Sequence, residues 1–334
     1  MPPLSPKNVV MIGGGTGSYT VLSGLKHIPN LSLTAIVTMS DNGGSTGKLR
    51  DELGVLPPGD ARQCLVALSE SPEILRELFN YRFDTGELKG HNFGNLFLSA
   101  LEKITGNFEE ALETAAKVLS INGLVVPVTT TNVNLKMTLK NGEVIEGEDS
   151  IGNRSDISEK GVQALSLYPS ATVNPKAVEA ILEADMVIIG PGNFYCSLIP
   201  NIIVPGIKEA LAQTSATVVY NANLMANYEH CQGWSVEDFT QHINSYLIPN
   251  TLDVVLYNNN NPEQELLEKY QSEGSFVNRR TTEETFLGAR LVGADILADT
   301  IVTTASHDPI QRTLIRHDSD KIAGALYNIL INEG

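Results

Sequence analysis

Five residues near the N-terminus, Gly13, Gly14, Gly15, Thr16 and Gly17, follow a short apolar run at 8–12 (NVVMI) that predicts a buried parallel strand. A strand end, a turn free of Cβ atoms and a helix start cluster N–H donors, the chemistry that holds a phosphate. The full dinucleotide fingerprint fails, because Ser18 or Thr20 stands where its third glycine would fall. Asp41 closes the second predicted strand, where an acid could hold a ribose, so an NAD site stays open as a reading. From Asp41 the chain continues Asn42, Gly43, Gly44, Ser45, Thr46, Gly47 and Lys48. This is only superficially a P-loop, since three residues separate Gly43 from Gly47 and Leu49 follows the lysine. Rich in glycine, hydroxyls and charge, it reads as a ligand-binding loop at a strand end. Asp60, after the stiff turn at 54–59, reads equally as a helix N-cap with Gln63 three residues on, or as a metal-ligating carboxylate.

Three later segments repeat the pattern. His91, Asn92, Phe93, Gly94 and Asn95 open a helix with polar groups. Gly190, Pro191, Gly192 and Asn193 follow an apolar run, with Pro200 and Asn201 soon after, and Asn221, Ala222 and Asn223 follow another. Polar and glycine residues at the ends of several parallel strands converge on one sheet edge and predict a cleft for a nucleotide-like ligand. No nucleophile elbow is present, and the six histidines, at 27, 91, 230, 242, 307 and 317, show no zinc-protease pairing. The cysteines, Cys64, Cys196 and Cys231, have neither disulfide-framework nor zinc spacing.

These residues need a scaffold. Strands are expected at 8–12, 33–39, 186–189, 216–220 and 253–257. Helices are expected at 18–27, 72–81, 92–104, 108–119, 177–184, 204–211, 235–246, 262–271 and 318–331. Asn141-Gly142 between apolar runs marks a hairpin, an antiparallel excursion at about 125–150. The prediction is α/β: one doubly wound, Rossmann-like domain over 1–334, with a mostly parallel sheet and that inserted antiparallel hairpin. The chain has 334 residues and a net charge of −16, from 23 Lys and Arg against 39 Asp and Glu. Such a surface repels nucleic acid and anionic membranes, so a phosphorylated ligand must be held by local donors. No leader or membrane-spanning stretch is evident, and a cytoplasmic protein is expected.

The motifs together make the chain similar to the gluconeogenesis factor family, itself related to the 2-phospho-L-lactate transferase of deazaflavin cofactor synthesis. The likeness rests on GGGTG, DNGGSTGKLRDELGVLPPGDARQCLVAL, GHNFGNL and GPGNFYCSLIPN in that order, and extends to Arg316, His317 and Asp318. It implies a Rossmann-like nucleotide site. In bacterial members it implies a UDP sugar such as UDP-N-acetylglucosamine as ligand, and a part in cell-wall precursor supply and cell shape during growth on gluconeogenic carbon. The transferase members instead join a phospholactyl-type group, from a guanylylated donor, to a deazaflavin with Mg²⁺. The GVLPPGD run and the RHD ending lean toward the bacterial branch.

The resemblance implies that the glycine loop cradles phosphates, that Asn193 and Asn223 hydrogen-bond sugar or phosphate, that Arg316 meets the nucleotide, and that Tyr270 stacks on uracil. Asp41 and Asp60 become candidate Mg²⁺ ligands. Asn42 stands where a second acid is usual, which weakens a metal role there, and Cys196 stands where Thr is usual. The ligand-contact set is completed by Asn42, Gly43, Gly44, Ser45, Asn95, Gly192 and Asn201. The expected partner is a nucleotide sugar, with a homodimer as the default assembly. Binding without turnover is the first reading, a transferase the second, and an NAD-dependent oxidoreductase a remote third.

Overall fold

Continuous apolar runs, as opposed to alternating ones, mark strands covered on both faces. The computed structural model describes residues 6–270, 274–299 and 315–333. Expectations on residues 1–5, on His307 and on the last residue of the helix at 262–271 lie outside them. The strands are β1 (Lys7–Gly13), β2 (Leu31–Val37), β3 (Leu124–Pro127), β4 (Asn134–Leu139), β5 (Val144–Glu146), β6 (Val162–Tyr168) and β7 (Met186–Ile189). They continue as β8 (Thr217–Asn221), β9 (Met225–Asn227), β10 (Val254–Asn258), β11 (Gly274–Phe276), β12 (Thr285–Phe286) and β13 (Ala289–Ala294). Eight of them form one sheet in the order β12-β13-β10-β8-β7-β1-β2-β3, parallel except for the β12–β13 pair.

Side chains alternate across this sheet into two cores, as the pleat demands. Val9, Met11, Ile188 and Leu256 face one layer, with Val21, Leu22, Cys64, Leu65 and Leu326. Val10, Ile12, Ile189 and Val255 face the other, with Ile181, Leu211, Phe239 and Ile243. Helices on both faces complete the expected doubly wound α/β architecture. From β1 the strands run outward through β2 and β3, and from β7 they run the opposite way. The strand order therefore reverses between β1 and β7, and in such sheets ligands bind in the crevice at the carboxyl ends flanking that point.

Two expectations are corrected. The antiparallel part is three strands, β5-β4-β6, spanning 134–168, whereas β3 pairs parallel with β2 in the main sheet. The Asn141-Gly142 turn is where it was expected, with Gly142 at φ +87°, but β6 follows no tight turn and its largely exposed side chains give no core pattern. The glycine-dense segment after Asp41 is not an open loop. With α1 at Gly15–Leu25, it forms α2 (Gly44–Leu53), ahead of α3 (Gly59–Leu68). Packing overrides its poor helix propensity. A Cβ on Gly47 would lie 1.9 Å from the Asn42 carbonyl oxygen, so only glycine lets the helix seat there. Arg50, buried, donates to the Val133 carbonyl at 2.6 Å and to that of Asp41 at 3.4 Å.

Candidate functional site

The loops leaving β1 and β7 meet at the reversal point. Gly14 is extended and caps α1 with no side chain of its own; the Gly15 amide meets the Asp60 carboxyl, and the rest of the first turn borders the cavity as an edge that could hold an anion. A Cβ on Gly17 would fall 2.0 Å from the Pro191 carbonyl oxygen, so the two loops touch backbone to backbone. Between them opens a cavity of about 770 Å³. Its walls bring together Gly14, Gly15, Thr16, Gly17, Gly192, Asn193, Asn223, Tyr270 and Arg316, all singled out from the sequence. They come from the ends of β1, β7 and β8, from the helix Gln264–Tyr270 and from the segment before the C-terminal helix Ser319–Glu333.

Several of these side chains are already engaged. Asn193 Oδ1 accepts the Cys196 N–H at 3.2 Å and caps a π-helical turn, Phe194–Leu198, of a kind often found at functional sites. Asn223 donates its amide to the Gly192 carbonyl at 2.8 Å. Tyr270 is buried against Leu224, Leu297 and Ile315, which fixes its ring in the wall.

The other candidates lie behind the loops. Asn201, fully buried, donates to the carbonyls of Gly13 (3.3 Å) and Ser197 (2.7 Å), tying the β1 end to the π-turn. Asn42 Oδ1 accepts the Asp149 N–H at 2.8 Å and so fastens the antiparallel insertion to the sheet. Gly43 donates to Asp41, and Gly44 is an exposed helix start at φ +49°. Ser45 Oγ lies 3.3 Å from His91 Nδ1 and accepts the Asn92 N–H at 3.3 Å. Asn95, buried, accepts from Arg62 Nε at 3.0 Å and donates toward Thr46.

Asp60 is corrected. The N-cap of α3 is Pro58, and no side chain caps it. The carboxyl instead lies on the glycine loop, for a Cβ on Gly14 would meet Asp60 Oδ2 at 2.0 Å. Burial, then the nearby Asp41, push its pKa up to about 7 against the Gly15 amide and Arg62. Asp41 is also raised, chiefly by burial, although Gly43, Thr46 and Arg50 oppose this. A third acid completes the crevice. Glu148, on the insertion, is raised by burial and by the charges of Asp41 and Asp60. Among the described residues, no three His, Cys, Asp or Glu side chains gather closely enough to hold a metal ion by themselves. Glu148 and His230 carry no signal in the sequence, and His317 stands in the RHD segment without being marked as a contact. Both histidines line the cavity, and Glu148 reaches Asp41 only because the insertion folds back.

A glycine-lined cavity at the strand-order reversal of a doubly wound sheet defines the class of protein: a Rossmann-like α/β scaffold whose site sits on the loops after β1 and β7. The family of 2-phospho-L-lactate transferase CofD matches residues 9–297. A Bacillus subtilis (strain 168) protein, "Gluconeogenesis factor", is 36% identical over 324 residues, covering 96% of this chain and 98% of its own. A relative from Nostoc sp. (strain PCC 7120) is 42% identical over 306 residues, covering 90% of this chain but 66% of its own longer one. The crystal structure of a UPF0052-family protein from Bacillus halodurans superposes with a TM-score of 0.88 at 34% identity, over 97% of this chain and 99% of that one. The chain belongs to the 2-phospho-L-lactate transferase CofD family and groups with the gluconeogenesis factors. Among the described residues, no helix is long and apolar enough to cross a membrane.

Proposed function

We propose that the chain binds a nucleotide sugar of the UDP-N-acetylglucosamine type in the 770 Å³ cavity and holds it without consuming it. In this reading it is a cytoplasmic gluconeogenesis factor that supports cell-envelope synthesis and cell shape on gluconeogenic carbon. One observation carries the proposal: the amide edge of the glycine loop and Arg316 border the same cavity in a chain of net charge −16. A diphosphate needs such local donors there, and a guanidinium offers paired donors without losing its proton. The volume suits a ligand of nucleotide size. The test is thermal shift with UDP-N-acetylglucosamine, GDP and NAD. UDP-N-acetylglucosamine at 100 times its dissociation constant should stabilise by roughly 2.7 kcal/mol. A shift with NAD alone would return the oxidoreductase reading.

The crevice beside the loop supports a second reading, a transferase of the guanylylated-donor type. Mg²⁺ binds through one or two carboxylates completed by substrate phosphates, which suits the Asp41 and Asp60 pair better than a self-sufficient protein cage. There the ion would neutralise phosphate charge, while Arg50 steadies the Asp41 loop through its backbone carbonyl. Protein-dependent product from deazaflavin and a guanylylated phospholactate would favour this reading.

A further inference from the structure

Asn223, His230 and His317 line the 770 Å³ cavity, and each carries a buried acceptor atom that lacks a hydrogen-bond partner. Asn223 points its NH₂ at the Gly192 carbonyl, which fixes the amide orientation and leaves Oδ1 without a donor. His230 is 2% exposed and holds Nε2 3.0 Å from the Ile151 carbonyl oxygen. A carbonyl only accepts, so the ring proton is on Nε2, and Nδ1 keeps a lone pair with no partner. His317 engages the Ala222 backbone, and its Nε2 is left over. Burial holds both imidazoles below the usual histidine range, His317 down to about 4, so each is neutral near pH 7. A phosphate is itself an acceptor and gains nothing from such atoms. They must serve another part of the ligand, and a donor that reaches them relieves the cost of a buried, unmade hydrogen bond.

We propose that Asn223, His230 and His317 form a donor-reading wall that recognises hydroxyl and amide N–H groups on the part of the ligand beyond its phosphates. The site then takes a neutral, donor-rich glycosyl group and disfavours a carboxylate in its place. This rests on the nucleotide-sugar reading above and specifies it. The three atoms are shut from solvent, so small side-chain rotations accompany seating of the donors. Asn223 commits one amide N–H to Gly192, and its unpartnered Oδ1 can take a sugar donor but not a phosphate oxygen.

The experiment is calorimetry on the full chain with UDP, UDP-N-acetylglucosamine and its 3-, 4- and 6-deoxyfluoro analogues, in which fluorine keeps size but removes a donor. At least one analogue should lose affinity about five- to tenfold against the parent. That loss should vanish in the matching variant among His230→Phe, His317→Phe and Asn223→Ala. If UDP binds as tightly as the sugar nucleotide, or every analogue matches the parent, the donor-reading wall is overturned while the nucleotide site stands. If no UDP compound binds, both readings fall. Should a variant fail to fold, the analogue series on the native chain still decides.

Discussion

The glycine loop after β1 has two neighbours of opposite character. On one side lies a cavity of amide N–H groups, neutral acceptors and Arg316. Asp41, Asp60 and Glu148 crowd the other neighbourhood, each raised chiefly by burial, with the Asp41 charge adding to the penalty on Asp60 and both adding to that on Glu148. Both use the same short stretch of backbone: Gly17 touches the β7 loop, and Gly14 touches Asp60. A net charge of −16 therefore says little about the site, because a few amides and one cation can make a local phosphate cradle in an acidic protein.

The comparison breaks most sharply at those two glycines. At Gly17 a new Cβ meets backbone, the Pro191 carbonyl at 2.0 Å, and backbone cannot swing away. Gly17→Ala should cost about 1–3 kcal/mol in urea unfolding and part the two loops, abolishing nucleotide binding. At Gly14 the new Cβ meets the end of the Asp60 side chain, which can rotate. Gly14→Ala should stay folded and mainly disturb the acidic crevice. Equal stability losses in the two variants would show that the loops do not meet as described.

Next in size is Arg316→Ala. The guanidinium borders the cavity and not the crevice, so its removal should weaken binding of a UDP sugar by about 1.5–3 kcal/mol, with little change in melting temperature. Unchanged affinity by calorimetry would remove Arg316 from the site.

The cavity side was far more legible in sequence than the crevice. The glycine loop, Asn193 and Asn223 stand at strand ends, where local spacing and topology suffice, whereas Arg316 is singled out only by the family resemblance of its segment. Asp60 is visible in the sequence but its role is not, because a carboxylate at a helix start looks the same whether it caps or faces a neighbouring loop. The structure decides, since Pro58 takes the N-cap. Glu148 could not be found, for its approach depends on Asn42 anchoring the Asp149 backbone across a long sequence separation. Helix α2 was hidden for a related reason: Gly43, Gly44 and Gly47 carry loop propensity, yet Gly47 is small because the Asn42 carbonyl lies against it. His230 is a single residue marked only by its unpartnered Nδ1, and His317 sits in the RHD segment, where the arginine beside it draws the attention.

A smaller effect should appear in the pH dependence of stability. Asp60 is raised from 3.8 to about 7 in the folded chain, so the folded state holds its proton longer than the unfolded state does. Stability from this group is then highest at low pH and is lost as pH rises from about 4 through about 7. Asp60→Asn removes that slope. Its melting temperature at pH 8 should exceed that of the native chain by about 2–4 °C, with the difference shrinking toward pH 5. A variant whose advantage grows on acidification would show that Asp60 is stabilised as the carboxylate, contrary to its crowded setting.

The smallest effect expected is that of Mg²⁺, and it bears on whether the crevice does chemistry or only borders a binding site. Phosphoryl-type transfer needs strong charge neutralisation, commonly by an ion held on carboxylates. Here Asn42 is a neutral amide, and its Oδ1 already accepts the Asp149 N–H. Asp41 and Asp60 remain, and with phosphate oxygens they could hold the ion, which would also favour their charged forms and release protons. We expect Mg²⁺ to tighten UDP-N-acetylglucosamine binding by less than about tenfold, or 1.4 kcal/mol, with no product after hours of incubation. Chromatography of the mixture and calorimetry with and without the ion supply both readouts. A parallel reaction should offer deazaflavin with a guanylylated phospholactate or phosphoenolpyruvate donor. Steady product that vanishes in Asp41→Ala would make the crevice the working half of the site and move the chain to the transferase reading. A large Mg²⁺ effect on affinity without product would instead show that the ion belongs to the ligand's phosphates, and that the two neighbours of the loop act on one bound molecule.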